Sequence, residues 1–165
     1  MPATGVSTAR RPRRITAAVV QAEVARDPEA AIGRTVQLIH DAPDSGARLI
    51  AFPETWLPGY PAWLDVCRDA ALWNHPPVKR VFARMAEQSV EVPGPATAAI
   101  GRAARETTST VVIGVSERVP HGPGRGTLYN TLLTFDQTGA LVQHQRKLMP
   151  TYTELVTNAE AAPRR

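Results

Sequence analysis

The sequence contains a single cysteine, Cys67, among its 165 residues. One thiol cannot form a disulfide within the chain, so the cysteine content gives no reason to expect an oxidising compartment. We therefore expect a cytoplasmic protein.

Long apolar runs are also missing. The arginine-rich start is followed by residues 15–22, which faintly resemble a signal peptide, but Gln21 and Glu23 interrupt a stretch that is already short. No other segment approaches the length needed to span a bilayer. The sequence predicts a first β-strand here and no membrane partner.

Excess positive charge is confined to the two ends of the chain. The formal net charge is +4, from 19 basic and 15 acidic residues. Without six terminal arginines, 13 basic residues remain against 15 acidic ones: Arg10, Arg11, Arg13, Arg14, Arg164 and Arg165. A nucleic-acid-binding surface needs basic residues clustered on a folded face. We therefore expect no nucleic-acid partner and interpret residues 1–14 as a disordered basic tail.

Short apolar runs alternate with stretches of helical periodicity along the rest of the chain. Strands are predicted at residues 15–20, 49–52, 111–115, 128–135 and 140–145. Helices are predicted from the Asp27-Pro28 pair to the Pro43–Gly46 cluster, at residues 78–88 and at residues 96–106. The first strand, helix and second strand form a βαβ unit with parallel strands, and residues 136–139 form a hairpin turn. The sequence thus predicts one mixed α/β domain at residues 15–154.

Proline, by contrast, is abundant, with 15 residues, and many of them follow predicted strands. Five of the nine aromatic residues lie at the end of the second strand and in the loop that follows it: Phe52, Trp56, Tyr60, Trp63 and Trp73. Such a cluster is typical of an apolar ligand pocket, but it equally closes one end of a core. Both interpretations stay open at this point.

Glu54 follows the second predicted strand after one proline, which places its carboxylate at the carboxyl end of a buried strand. Ligands of open α/β sheets bind at that edge. Desolvation by neighbouring aromatic rings would suit this carboxylate to acid and base chemistry. A glutamate in this position is nevertheless more often a loop cap or an ion-pair partner.

Lys147 follows the last predicted strand and precedes an apolar segment. A partly buried ammonium at this place would stabilise an anion that develops in a transition state. The common alternative is a surface lysine beside Arg146. Spacing alone does not choose between the two.

Two segments carry a resemblance to a known family. Residues 52–61, Phe-Pro-Glu-Thr-Trp-Leu-Pro-Gly-Tyr-Pro, resemble the glutamate motif of the nitrilase superfamily of carbon-nitrogen hydrolases, in the form found in its nitrilase branch. Residues 146–154, Arg-Lys-Leu-Met-Pro-Thr-Tyr-Thr-Glu, resemble the lysine motif of the family and come in the correct order. Two matched segments far apart in one chain are a much stronger signal than either alone.

The resemblance implies the N-terminal portion of a nitrilase-like αββα sandwich. It makes Glu54 the general base, Lys147 the anion-stabilising lysine and Glu154 a second glutamate. The aromatic cluster, read separately, suggests a pocket for an aryl or bulky aliphatic nitrile lined by Trp56, Tyr60 and Trp63. The implied reaction converts a nitrile or related small molecule through a cysteine thioimidate and thioester, without metal or organic cofactor. The resemblance also implies a homo-oligomer for the complete protein.

The nucleophile is the point at which the resemblance fails. The family places its cysteine beyond the lysine motif, usually beside Trp-Glu, and this chain has no such segment. Cys67 lies between Asp65 and Asp69, which disfavour a thiolate, and we interpret it as an incidental thiol. Its recruitment as a new nucleophile would require it to lie near Glu54 and Lys147.

Residues 155–165 resemble no part of the family, and we interpret them as a disordered tail. A frameshift or premature stop in the coding sequence would explain this ending. We therefore expect an inactive fragment that associates or aggregates because its sheet edges are uncovered. The alternative is a non-catalytic nitrilase-like protein that binds a partner or a small molecule through its aromatic loop.

Overall fold

The computed structural model describes residues 14–25, 27–60 and 74–149. The strands in these ranges are β1 (Ala17–Val19), β2 (Leu49–Ala51), β3 (Thr110–Arg118), β4 (Leu128–Phe135) and β5 (Leu141–Arg146). The α-helices are α1 (Pro28–Asp41), α2 (Pro76–Gln88) and α3 (Pro95–Glu106), and a short 3₁₀ helix at Ala42–Ser45 follows α1. Each strand and helix predicted from the sequence is confirmed.

Strand β3 is the element that departs most from its predicted length. The apolar pattern ends at Val115, whereas the strand continues to Arg118. Its extension contains Ser116 and Glu117, which are polar but buried. Hydrophobicity alone therefore underestimates a strand whose buried end carries polar side chains.

The described strands form one sheet in the order β1-β2-β3-β4-β5. Strands β1, β2 and β3 are parallel, and β4 and β5 continue the sheet in antiparallel pairing. The predicted βαβ unit and the predicted hairpin are both confirmed. In that hairpin Asp136 accepts hydrogen bonds from the backbone N–H groups of Thr138 and Ala140.

Helix α1 begins where the sequence predicts it. The Asp27 carboxylate accepts a hydrogen bond of 2.9 Å from the N–H of Ala30, and Pro28 occupies the first turn. Ala31, Thr35 and Ile39 recur every four residues and are buried. No helix among the described residues has the length and hydropathy needed to cross a membrane.

The hydrophobic core lies between α1, α3 and one face of the sheet. Strand residues Ile113 and Leu133, which pair with each other, pack there with Phe135 and with Ile100 of α3. Side chains alternate along a strand, so the neighbouring residues Gly114 and Leu132 belong to the opposite face. On that face Leu132 remains partly exposed.

Candidate active site

The loop after β2 leaves the sheet and then returns to it. The N–H of Phe52 donates to the carbonyl of Val112, and the carbonyl of Leu57 accepts from the N–H of Ser116. The intervening residues form an excursion along β3 that carries Glu54. Within it Thr55 has a φ of 49°, in the left-handed region that residues other than glycine seldom adopt.

Gly114 gives this loop room to cross β3. A Cβ atom at this position would lie 2.6 Å from the Glu54 Cα and 2.6 Å from the Pro53 carbonyl oxygen. Such distances are far below van der Waals contact. A glycine inside a strand often marks a close backbone approach, and here that approach positions Glu54.

Lys147 reaches Glu54 from the end of β5. Its backbone N–H donates to the carbonyl of Asn130 at 2.8 Å, which extends the pairing of β4 and β5 by one residue. Its ammonium Nζ lies 2.9 Å from Glu54 Oε1. The Lys147 side chain is 34% exposed and the Glu54 side chain 51% exposed, so both groups remain accessible to a reactant.

Asn130 is a site residue that the sequence reasoning missed. Its side-chain Nδ2 donates to the same Glu54 Oε1 at 2.5 Å. The only sequence signal was an amide side chain in a strand whose other residues are apolar or carry a hydroxyl group. The pairing of this strand with its neighbours determines that the Asn130 side chain points towards Glu54. Asn130 and Lys147 together fix the orientation of the Glu54 carboxylate.

A shallow cavity of about 290 Å³ lies over these groups on the sheet face away from α1 and α3. Besides Glu54, Asn130 and Lys147, its lining includes Gly114, Leu132 and Gln145. The cavity thus combines a carboxylate, an ammonium and an apolar side chain. Within the described ranges, no group of three or more His, Cys, Asp or Glu residues could hold a metal ion.

The aromatic residues predicted for the substrate pocket are distributed differently. The structure places Trp56 in the core, where its ring contacts Phe52 and its Nε1 donates to Thr35 Oγ1 at 2.8 Å. Trp56 is therefore buried and is not among the residues that line the cavity described above. Tyr60 is half-exposed. Glu154, Trp63 and Cys67 lie outside the described residues, as does Trp73.

A second carboxylate, Glu117, lies on the other face of the sheet at the end of β3 and is 1% exposed. Burial by itself would raise the pKa of Glu117. Hydrogen bonds from Arg146, His144 and Thr131 outweigh that effect and hold the pKa below its ordinary value. No sequence pattern predicted a buried carboxylate here, since a glutamate at the end of a strand is usually exposed.

Comparisons with known proteins identify the family of this chain. The sequence profile described as carbon-nitrogen hydrolase matches residues 16–161. The chain is 40% identical over 141 residues to "Nitrilase 3" from an unknown prokaryotic organism, a match covering 85% of this chain and 40% of that protein. It is 40% identical to a nitrilase of Paraburkholderia phymatum over 86% of this chain and 39% of that protein. An arylacetonitrilase of Aspergillus niger is 36% identical over 92% of this chain and 41% of its own length.

Solved structures show the same fold at lower sequence identity. An amidase of the nitrilase superfamily from Nesterenkonia AN1 is 20% identical, with a TM-score of 0.60 over 89% of this chain and 49% of that one. A carbon-nitrogen hydrolase from Helicobacter pylori is 17% identical, with a TM-score of 0.54 over 82% of this chain and 40% of that one.

The chain thus spans about 40% of the length of the curated relatives it matches. The family profile covers most of its sequence, and the described sheet and helices match the corresponding part of nitrilase-superfamily structures. The chain belongs to the carbon-nitrogen hydrolase family, as the glutamate and lysine motifs predicted, and has the α/β fold of the N-terminal portion of its sandwich.

Proposed function

We propose that this chain supplies the base and the anion-stabilising cation of a nitrilase-type hydrolase, which converts a nitrile and water into a carboxylic acid and ammonia. The observation that carries the proposal is the 2.9 Å contact between Lys147 Nζ and Glu54 Oε1. The two residues are 93 positions apart in the sequence and come from the two segments that resemble the family motifs. Relatives named nitrilase and arylacetonitrilase support the choice of a nitrile.

The proposed reaction begins with a thiol whose proton passes to Glu54. The sulfur then bonds to the nitrile carbon and one carbon-nitrogen π bond opens. The nitrogen gains a negative charge, which the Lys147 ammonium stabilises until Glu54 passes the thiol proton to it and becomes a carboxylate again. Glu54 next transfers a proton from water, which adds to the thioimidate and expels ammonia. A second water molecule hydrolyses the thioester, which releases the acid and restores the thiol.

The two donors on Glu54 suit it to this role. Asn130 Nδ2 and Lys147 Nζ both bind Oε1. The carboxylate is therefore held in one orientation, in which Oε2 is the oxygen that accepts the proton. A base fixed in this way loses little entropy when the reactant binds.

Besides Glu54 and Lys147, the proposed reaction needs a thiol as the nucleophile. The sole cysteine, Cys67, has flanking residues that match no nucleophile motif. We propose that the 165-residue chain by itself does not hydrolyse nitriles, because its one cysteine lies in no segment that resembles a nucleophile motif. We assign Glu154 as the second glutamate on the motif resemblance, and Tyr60 and Trp63 as substrate-pocket residues on the aromatic cluster after the second strand.

Ammonia release from a panel of arylacetonitriles, aliphatic nitriles and cyanide tests the proposal. The panel is assayed with the chain alone and with a chimaera in which residues 15–154 replace the matching segment of the Paraburkholderia phymatum nitrilase. We expect acid and ammonia from the chimaera and none from the chain alone. Glu54→Gln or Lys147→Met should lower kcat of the chimaera by roughly 10²-fold or more.

Glu91→Gln is the matched control, because it removes a different carboxylate that pairs with Arg118 at 2.6 Å. It should leave hydrolysis unchanged. A chimaera that keeps its full activity after Glu54→Gln would contradict the assignment of the base. Hydrolysis by the unextended chain would contradict its proposed inactivity.

A further inference from the structure

Among the described residues, those that bind the buried carboxylate of Glu117 come from β4, which carries Asn130, and from β5, which ends just before Lys147. Oε2 accepts hydrogen bonds from Thr131 Oγ1 at 2.8 Å and Arg146 Nε at 3.1 Å, and it contacts His144 Nε2 at 2.8 Å. Oε1 accepts from Arg146 Nη2 at 2.6 Å. The guanidinium of Arg146 also lies over the Tyr129 ring, 4.2 Å from its centroid.

Burying a carboxylate is costly unless charged donors and several hydrogen bonds compensate. Here a bidentate guanidinium provides this compensation, and its planar geometry tolerates little displacement. The end of β5 is therefore tied to β3 by a directional contact that reaches past β4. The contact matters for the position of β5, because most of this strand is exposed and contributes little to the core.

The residues that bind Glu117 directly adjoin the residues that bind Glu54. Arg146 precedes Lys147, and Thr131 follows Asn130. Successive side chains of a strand point to opposite faces, so one member of each pair reaches Glu117 and the other reaches Glu54. Any shift of β5 that loosened the Glu117 contact would move Lys147 on the other face.

We propose that Glu117 is a positioning residue, which fixes the end of β5 through Arg146 and so holds the Lys147 ammonium on Glu54. The importance of this for hydrolysis rests on the proposed function, but the positioning itself is a property of the described chain. Glu117 touches neither Glu54 nor the cavity, and it acts from the opposite face of the sheet.

The chain offers a direct spectroscopic test, because it contains only two lysines, Lys79 and Lys147. Carbon-13 and nitrogen-15 labelled lysine gives one Cε and one Nζ resonance for each, assigned with Lys79→Arg. Glu54→Gln gives the chemical shifts of the Lys147 resonances when the ammonium has lost its carboxylate partner. We expect Glu117→Gln to shift the Lys147 resonances towards that position while the Lys79 resonances stay in place.

Glu91→Gln is again the matched control, since it removes a carboxylate whose arginine contact has the same 2.6 Å length. Like Glu117→Gln, it removes an ion pair, but it should leave the resonances of both lysines unchanged. Lys147 resonances that stay unchanged in folded Glu117→Gln would overturn the proposal. If that variant does not fold, Arg146→Gln loses the bidentate contact without adding a third lysine, and unchanged Lys147 resonances in it would overturn the proposal equally.

An activity measurement separates this inference from the proposed function. In the chimaera, Glu117→Gln should lower kcat by about 10-fold to 10²-fold, because small displacements of a catalytic group have effects of this size. KM should change much less, and Glu117→Asp should restore part of the loss. An inactive parent chimaera combined with the resonance shift would reject the proposed reaction and leave the positioning role standing. An active chimaera with unaltered kcat in Glu117→Gln would reject the positioning role alone.

Discussion

At the scale of single residues, the position of Glu54 depends on two strand residues as well as on the loop that carries it. These residues are Gly114 and Asn130. Gly114 allows the backbone of that loop to approach β3, and Asn130 orients the carboxylate. The motifs identified Glu54 and Lys147 because each lies in a recognisable local pattern. Gly114 and Asn130 lie in strands far from both motifs, so only the strand register revealed their roles.

Replacement of Gly114 should displace Glu54. We expect Gly114→Ala to lower the free energy of unfolding by about 1–3 kcal/mol, because the added methyl group overlaps the Glu54 backbone. Urea unfolding measures this effect, and the chimaera should lose activity in parallel. Gly33→Ala is the matched control. Apart from its chain neighbours and the backbone of its own helix, no heavy atom lies within 4 Å of the added methyl group, so this helical position should gain about 0.5–1 kcal/mol. Equal effects at the two glycines would contradict this account.

Glu117 should make stability depend on acid pH in a defined direction. Its pKa in the folded chain lies below the ordinary value of 4.5, so the folded state favours the carboxylate form. The stabilisation is then complete above about pH 4.5 and is lost as the pH falls through the folded pKa. Urea unfolding of the parent chain and of Glu117→Gln should show a stability difference that shrinks below this pH. A difference that stays constant or grows on acidification would contradict the prediction.

At the scale of elements, the helices and strands followed from local pattern, while the path of the glutamate loop did not. The Asp27 cap, the Asp136 turn and the apolar runs each act within a few residues, which is why they were readable in sequence. The loop's return to β3 at Leu57 depends on pairing with residues about 60 positions later in the chain. The aromatic cluster was ambiguous for the same reason, and Trp56 proved to belong to the core.

The hydrogen bond between Trp56 and Thr35 ties this loop to α1. Thr35 Oγ1 donates to the Ala31 carbonyl and accepts from the Trp56 indole, and both side chains are buried. Thr35→Val should cost about 1–3 kcal/mol, because it leaves a buried indole N–H without an acceptor. Trp56→Phe in the Thr35→Val background removes that N–H, so the second change should cost less than Trp56→Phe alone. Strictly additive free energies in this double-mutant cycle would show that the contact does not couple the two elements.

At the scale of the whole molecule, the described sheet covers its core on one face and leaves the other face and the β5 edge open. Val142 on β5 is 58% exposed, and Leu132 and Leu141 nearby are also exposed. Apolar side chains on a sheet edge favour pairing with another chain. The same face carries Glu54, Lys147 and the cavity over them.

We therefore expect the 165-residue chain to associate in solution. Light scattering after size-exclusion chromatography should show species larger than a monomer. Val142→Lys should shift the distribution towards monomer, because a charge on an edge strand opposes strand pairing. Val81→Lys adds the same charge at a 41% exposed position of α2 and should have little effect. A monomeric parent chain, or equal effects of the two lysines, would contradict the role of the edge.

The central claim is that Glu54 and Lys147 act together at one catalytic site. A double-mutant cycle on kcat/KM for nitrile hydrolysis by the chimaera tests it most directly. If the two groups serve the same thiol as a unit, Glu54→Gln combined with Lys147→Met should cost little more than the more damaging single change. Losses that multiply, or a chimaera in which neither change matters, would contradict the account.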